Sequence, residues 1–207
     1  MSRRPDNSLS ASHTLVVGGT GSGKSSLIKK HAIKNERRII VWDGKDEYGG
    51  ENGFERITSA VALARRLADG RDGRIAFAAR LDRFDFWARA AWAWGNCLVI
   101  AEELADVTNP AKAPLPWGEI IRKGRGHGLR TVTATQRPAE IDKTTVGNAT
   151  AGYVGFLAFD ADRKYVADRI GFPRDRLDAL DMGDYLYRQF PRGEITAGRA
   201  YPRKKRR

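Results

Sequence analysis

An α/β fold with a mostly parallel central sheet flanked by helices is predicted from three observations. Short apolar, β-branched runs alternate along the chain with segments of helical period, as parallel strands joined by crossover helices require. The first such run, Leu15 to Val17, passes directly into a glycine-rich turn, Gly18-Gly19-Thr20-Gly21-Ser22-Gly23-Lys24-Ser25, that opens a helix. The length of 207 residues suits one domain, and no Ser/Gly-rich linker divides it. We expect that domain over residues 13–200, with a flexible basic N-terminus over 1–12 and a basic tail over 201–207.

The turn matches the P-loop pattern, and its residue types state the chemistry. Glycines 18, 19, 21 and 23 let the backbone turn with positive φ and bring N–H groups, including those of Thr20 and Ser22, against phosphate oxygens. Lys24 reaches the β and γ phosphates, the Ser25 hydroxyl takes Mg²⁺, and Ser26 continues the cradle. Leu27, Ile28 and His31 fall at helical spacing within 26–34, so the positive end of a helix faces the triphosphate. ATP with Mg²⁺ is the expected pair, although a P-loop reads phosphates and leaves the base open.

Arg38 to Trp42 reads as a second buried strand, followed by an acidic, glycine-rich turn from Asp43 through Glu47 to Gly53. Thr58 is placed to cap a helix with Val61, Ala64, Leu67 and Ala68 on one face, and Arg71-Asp72-Gly73 turns into a short strand carrying Ile75 and Phe77. Phe84, Trp87, Ala91 and Trp94 form a helical stripe; aromatics can stack bases, but this spacing favours core. Cys97 to Ala101 is an apolar strand ending in Glu102-Glu103. Two carboxylates at a buried strand tip suit a metal ligand and a water-orienting base, although a helix start accounts for such a pair taken alone.

Pro110, Pro114 and Pro116 break the segment from Val107 to Gly118, which reads as a long exposed loop containing Lys112 and Trp117. Trp117 to Arg125 is a short helix, and Leu129 to Thr135 is a strand ending at Gln136. Ala151 to Phe159 reads as a strand, and Ala161 to Gly171 as a helix with Tyr165, Val166 and Ile170 inward. Tyr185 to Phe190 pairs with Glu194 to Ala200 as a terminal hairpin.

The balance of 37 Lys+Arg against 25 Asp+Glu gives +12 and points to a polyanionic partner. Five of those charges lie in Arg203 to Arg207, so +7 remain on the body. The single Cys97 excludes an intramolecular disulfide, and the three His lie too far apart for a metal cluster. With neither an 18-residue apolar span nor a signal-peptide pattern, a soluble, intracellular chain is expected.

The run Lys123-Gly124-Arg125-Gly126-His127-Gly128-Leu129, followed by Ala134-Thr135-Gln136-Arg137-Pro138, closely resembles the FtsK–HerA superfamily of DNA-pumping ATPases. Met182-Gly183-Asp184-Tyr185-Leu186-Tyr187 is similar to the segment that closes their motor domain. The resemblance implies a RecA-like P-loop NTPase fold of the ASCE class, a Walker A role for Gly18 to Ser25, and Mg²⁺ held by Ser25 and Glu102. It further implies Glu103 as catalytic glutamate, Gln136 as a sensor of the γ-phosphate, and Arg125 as an arginine finger donated to a neighbouring subunit, with Arg122 the alternative. Where the family usually has Asp this chain has Glu102, one methylene longer. The P-loop edge of the sheet supplies one cation, Lys24, for the migrating γ-phosphoryl charge, so a second is expected from the neighbour.

FtsK-type and conjugative coupling proteins add membrane helices and DNA-orienting domains, and HerA adds an N-terminal barrel. A chain of this length is most similar to the genome-packaging ATPases of tailless, internal-membrane viruses with double-jelly-roll capsids. That resemblance implies double-stranded DNA, further copies in a ring (a hexamer), capsid or portal-vertex proteins and the viral internal membrane as partners. It places the chain at the packaging vertex of the virion and in the host cytoplasm. The alternatives are a cellular or plasmid translocase of the same fold, a P-loop small-molecule kinase and a non-enzymatic DNA-binding module. Glu103 and Gln136 argue against the kinase, which must exclude water, and Lys24 against the module.

Overall fold

A computed structural model describes residues 5–6, 8–50 and 53–202; the basic run from Arg203 and part of the basic N-terminus lie outside the described residues. Seven strands run parallel: β1 (His13–Val17), β2 (Arg38–Trp42), β3 (Phe54–Ile57), β4 (Gly73–Phe77), β5 (Leu98–Ala101), β6 (Arg130–Thr135) and β7 (Ala151–Gly155). Two antiparallel strands, β8 (Asp184–Gln189) and β9 (Thr196–Arg199), complete one sheet of order β3-β4-β2-β5-β6-β1-β7-β8-β9. The helices are α1 (Lys24–Leu27), α2 (Ala60–Ala68), α3 (Phe84–Trp94), α4 (Leu115–Lys123), α5 (Lys143–Gly147), α6 (Asp160–Tyr165) and α7 (Arg174–Asp178). Both α1 and α6 continue as wider π-helical turns, over Ile28–Ile33 and Val166–Ile170.

Central strands covered on both faces need apolar residues at successive positions, which is why Ile39, Ile40, Val41 and Trp42 are all buried. Register then decides what meets at the sheet edge. Val17 pairs with Thr135 and Trp42 with Ala101, so the residues that follow β1, β6, β5 and β2 emerge side by side. β6 lies between the P-loop strand and the strand that ends in Glu102-Glu103. On one face Trp42, Phe84, Trp87 and Trp117 form an aromatic core, with Phe84 and Trp87 ring centroids 5.3 Å apart and Trp87 stacked on Trp117 at 6.2 Å. On the other, Leu27, Ile28 and Ile33 pack over Val16, Ile100 and Val132. The stripe on α3 is therefore core, and Cys97 is a buried thiol whose pKa burial pushes up to about 12.

Several local expectations need correction. The cap of α2 is Ser59, whose side chain accepts from the Ala62 N–H, and the buried face is that of Leu63; Val61 is 60% exposed. Leu67 packs beside Leu63, while Val61 and Ala64 face away from the core. Trp117 does not sit in an exposed loop but is fully buried, donating from Nε1 to Thr145 Oγ1 at 2.9 Å. Its helix starts earlier because Pro116 occupies the first turn, where a missing N–H costs nothing. β7 stops at Gly155 rather than Phe159, and β3, α5 and α7 are elements that the sequence pattern left unread.

Candidate active site

The P-loop crosses from β1 to α1 at the edge where the four central strands end. Only Gly21 (φ 73°) and Gly23 (φ 99°) take positive φ; Gly18 and Gly19 do not, so the expectation for all four glycines is corrected. Gly18 is required by space instead, since a Cβ there would stand 2.4 Å from Ser22 Oγ. Lys24 is buried, and its Nζ donates to the carbonyl oxygens of Gly18 (2.9 Å) and Gly19 (3.3 Å). Burial lowers its pKa, opposed by Glu103 and Glu102. Ser22 Oγ is buried without a partner.

Glu102 and Glu103 follow β5, and the Glu102 N–H donates to the Trp42 carbonyl at 3.3 Å, locking this tip to that of β2. Glu102 is buried and accepts from the Tyr48 hydroxyl at 2.5 Å. Glu103 has left-handed backbone (φ 46°), a conformation that costs a non-glycine residue about 1–3 kcal/mol and clusters at functional sites. Its Oε1 accepts from Gln136 Nε2 at 2.8 Å and lies 3.7 Å from Lys24 Nζ. Thr20 Oγ1 in turn donates to Gln136 Oε1 at 2.6 Å. A continuous chain of contacts thus runs from the P-loop through the tip of β6 to the tip of β5.

Four residues at this edge escaped the sequence reading. Lys45, in the turn after β2, lies 3.1 Å from Glu103 Oε1, so the edge holds two lysines, and the expectation of Lys24 alone is corrected. Asp43 is buried and accepts from the backbone N–H of Glu47 (2.8 Å) and Tyr48 (2.9 Å). Tyr48 holds Glu102, as above. Tyr201 donates from its hydroxyl to the Gly21 carbonyl at 2.6 Å, and Met182 and Ala200 lie beside Gly21 and Gly23, so the hairpin closes over the cradle. The one available signal was position: Asp43 directly follows a buried strand, as Glu102 does.

Arg125 is brought nowhere near these groups. It is exposed in a 3₁₀ turn (Gly124–His127) between α4 and β6, next to the starting ends of β5 and β6, at the sheet edge opposite the P-loop. Arg122 is likewise exposed on α4.

The cavity is about 330 Å³, within the range of small-molecule sites, and is lined by P-loop residues, including Ser25 and Ser26, together with Glu102, Glu103, Gln136 and Tyr201. Its donor set fits a Mg²⁺–triphosphate: backbone N–H groups and two lysines for phosphate, and a hydroxyl plus a carboxylate for a hard cation that keeps several waters. Among the described residues there is no cluster of three or more His, Cys, Asp or Glu that could hold a metal ion.

Burial raises the Glu102 carboxyl above the usual carboxylate range, against the lowering effect of the Tyr48 hydroxyl. Ionising it therefore costs more in the folded chain than in the unfolded one. Stability from this group is full below the unfolded value and is lost as pH rises through the raised folded value. Glu102→Gln should accordingly unfold at higher temperature than the parent at neutral pH without nucleotide, with the gap closing toward about pH 4. Thermal unfolding across that range checks it; a gap that widens toward acid contradicts a raised value.

Fold and site together define the class: a RecA-like P-loop NTPase, with one strand between the P-loop strand and the acidic strand. No family model matches the chain. It is 31% identical over 186 residues to Protein P9 of Pseudoalteromonas phage PM2, covering 86% of this chain and 84% of that protein. The chain belongs to the family of that protein. The structure of the genome packaging NTPase B204 from Sulfolobus turreted icosahedral virus 2, in complex with AMPPCP, superposes with a TM-score of 0.75 at 19% identity, covering 90% of this chain and 96% of that one. The pCW3 conjugation coupling protein TcpA, with ATPγS, gives 0.56 at 16% identity, covering 89% and 59%. These structural likenesses bear out the RecA-like fold.

Proposed function

We propose that this chain hydrolyses ATP with Mg²⁺ and uses the energy to thread double-stranded viral DNA into a preformed capsid. The observation that carries hydrolysis is the meeting of Glu103 and Gln136, 2.8 Å apart, beside Lys24. A carboxylate and an amide in that corner can orient a water for attack on the γ-phosphate, whereas a kinase keeps its site dry. Lys24 and the P-loop N–H groups bind the phosphates, while Ser25 and Glu102 would hold Mg²⁺. When bound, that ion would supply positive charge against the phosphates. Glu103 orients the water and takes its proton. Gln136, bonded to both Thr20 and Glu103, senses the γ-phosphate.

Membership in the P9 family, the B204-like fold and the charge of +12 support the DNA-packaging step. The motor unit is residues 13–200, acting as a hexameric ring in which Arg125 serves the neighbour's site. Its partners are the DNA, the capsid or portal-vertex proteins and the viral internal membrane, at the packaging vertex and in the host cytoplasm. Among the described residues no helix is long and apolar enough to cross a membrane. Displacement of a third strand annealed to linear duplex DNA tests translocation. The parent chain should strip it with ATP, and Lys24→Ala should not. A parent that hydrolyses ATP yet never displaces the strand overturns translocation and leaves hydrolysis standing.

A further inference from the structure

The turn after β2 delivers a second lysine to the cradle, and its surroundings hold it there. Asp43 before it is buried and takes the Glu47 and Tyr48 N–H groups. Asp46 after it pairs with Arg56 through two bonds of 2.6 Å, and Tyr48 is tied to Glu102. The turn is therefore pinned on both sides of Lys45. Its side chain is 46% exposed and reaches Glu103 Oε1 at 3.1 Å. That one oxygen also accepts from Gln136 Nε2 at 2.8 Å and lies 3.7 Å from Lys24 Nζ, so both lysines pair with it.

The two lysines differ in freedom. Lys24 is buried and engaged by two P-loop carbonyls, while Lys45 carries its ammonium on an exposed four-carbon stem at the cavity wall. A γ-phosphate entering this cavity brings more negative charge than the Glu103 carboxylate and accepts an ammonium with equal geometric ease. We propose that Lys45 is a cis-acting γ-phosphate cation that exchanges partners. Without nucleotide it neutralises Glu103; with ATP it passes to a γ-phosphate oxygen, and Glu103 is released to orient water. The cradle then distinguishes triphosphate from diphosphate through a residue outside the P-loop. This rests on the ATPase reading.

The test is binding of AMPPCP and of ADP, each with Mg²⁺, to the parent, Lys45→Ala, Glu103→Gln and the double variant. Without the ammonium that bonds the γ-phosphate, Lys45→Ala should bind AMPPCP about 10- to 100-fold more weakly and ADP as tightly as the parent does. Retained ADP affinity shows that the variant is folded. The same selective loss should persist in the Glu103→Gln background, where Lys45 has no carboxylate to neutralise, and Lys45→Arg should restore part of it. If the loss vanishes in the Glu103→Gln background, or falls equally on AMPPCP and ADP, Lys45 only positions Glu103 and the proposal fails. A parent chain that binds neither nucleotide overturns the ATPase reading itself, and the proposal with it.

Discussion

Arg125→Ala is expected to slow ATP hydrolysis by about 10³- to 10⁵-fold while leaving nucleotide affinity near that of the parent, the range over which an added arginine acts in related P-loop enzymes. The position of Arg125 requires the proposed effect to be intermolecular. It lies at the sheet edge opposite the P-loop, so its guanidinium reaches a nucleotide only in another copy. Mixing Lys24→Ala with Arg125→Ala subunits should then restore activity, because in the proposed ring mixed subunits form interfaces where an intact P-loop meets an intact arginine. If parent subunits exchange into the same rings and mixing restores nothing, Arg125 does not act in trans. A small effect of Arg125→Ala on rate would assign the transition-state charge to Lys24 and Lys45, which already stand together in cis.

Glu103→Gln is expected to bind ATP normally and to lose about 10²- to 10⁴-fold in turnover, the usual contribution of a positioned base. The amide keeps the shape at the tip of β5 and the contact with Gln136, but it takes no proton. Single-turnover kinetics beside binding isotherms separate this from Lys24→Ala, which should lose binding and turnover together. A fully active Glu103→Gln variant removes Glu103 from the chemistry.

The parts of this site that were legible in the sequence share one property: each directly follows an apolar or β-branched run that reads as a strand. The P-loop follows Leu15 to Val17, the carboxylates follow Cys97 to Ala101, and Gln136 follows Leu129 to Thr135. Strand identity alone places such residues at the same kind of edge in a parallel sheet. Lys45, Tyr48 and Tyr201 were not legible, because their places depend on strand order and register. Nothing local in the sequence states that β2 pairs with β5, yet that pairing sets Trp42 beside Ala101 and carries the Asp43–Tyr48 turn to Glu102. Tyr201 reaches Gly21 only because the terminal hairpin extends the sheet next to β7. Trp117 was misplaced for the opposite reason: the prolines around it signal a broken chain, and the residue that takes its indole N–H, Thr145, lies 28 residues away.

As proposed, this edge of the sheet hydrolyses ATP for work on DNA. The most direct measurement is phosphate release from Mg²⁺–ATP by the parent chain, with no acceptor molecule added, in the presence and absence of double-stranded DNA of unrelated sequences. On this reading, release should be stimulated by DNA of any sequence and abolished by Lys24→Ala, and the stimulation should weaken steeply with salt as phosphate contacts are screened. Phosphate release that DNA leaves unchanged, or that appears only when a small-molecule acceptor is supplied, would contradict it.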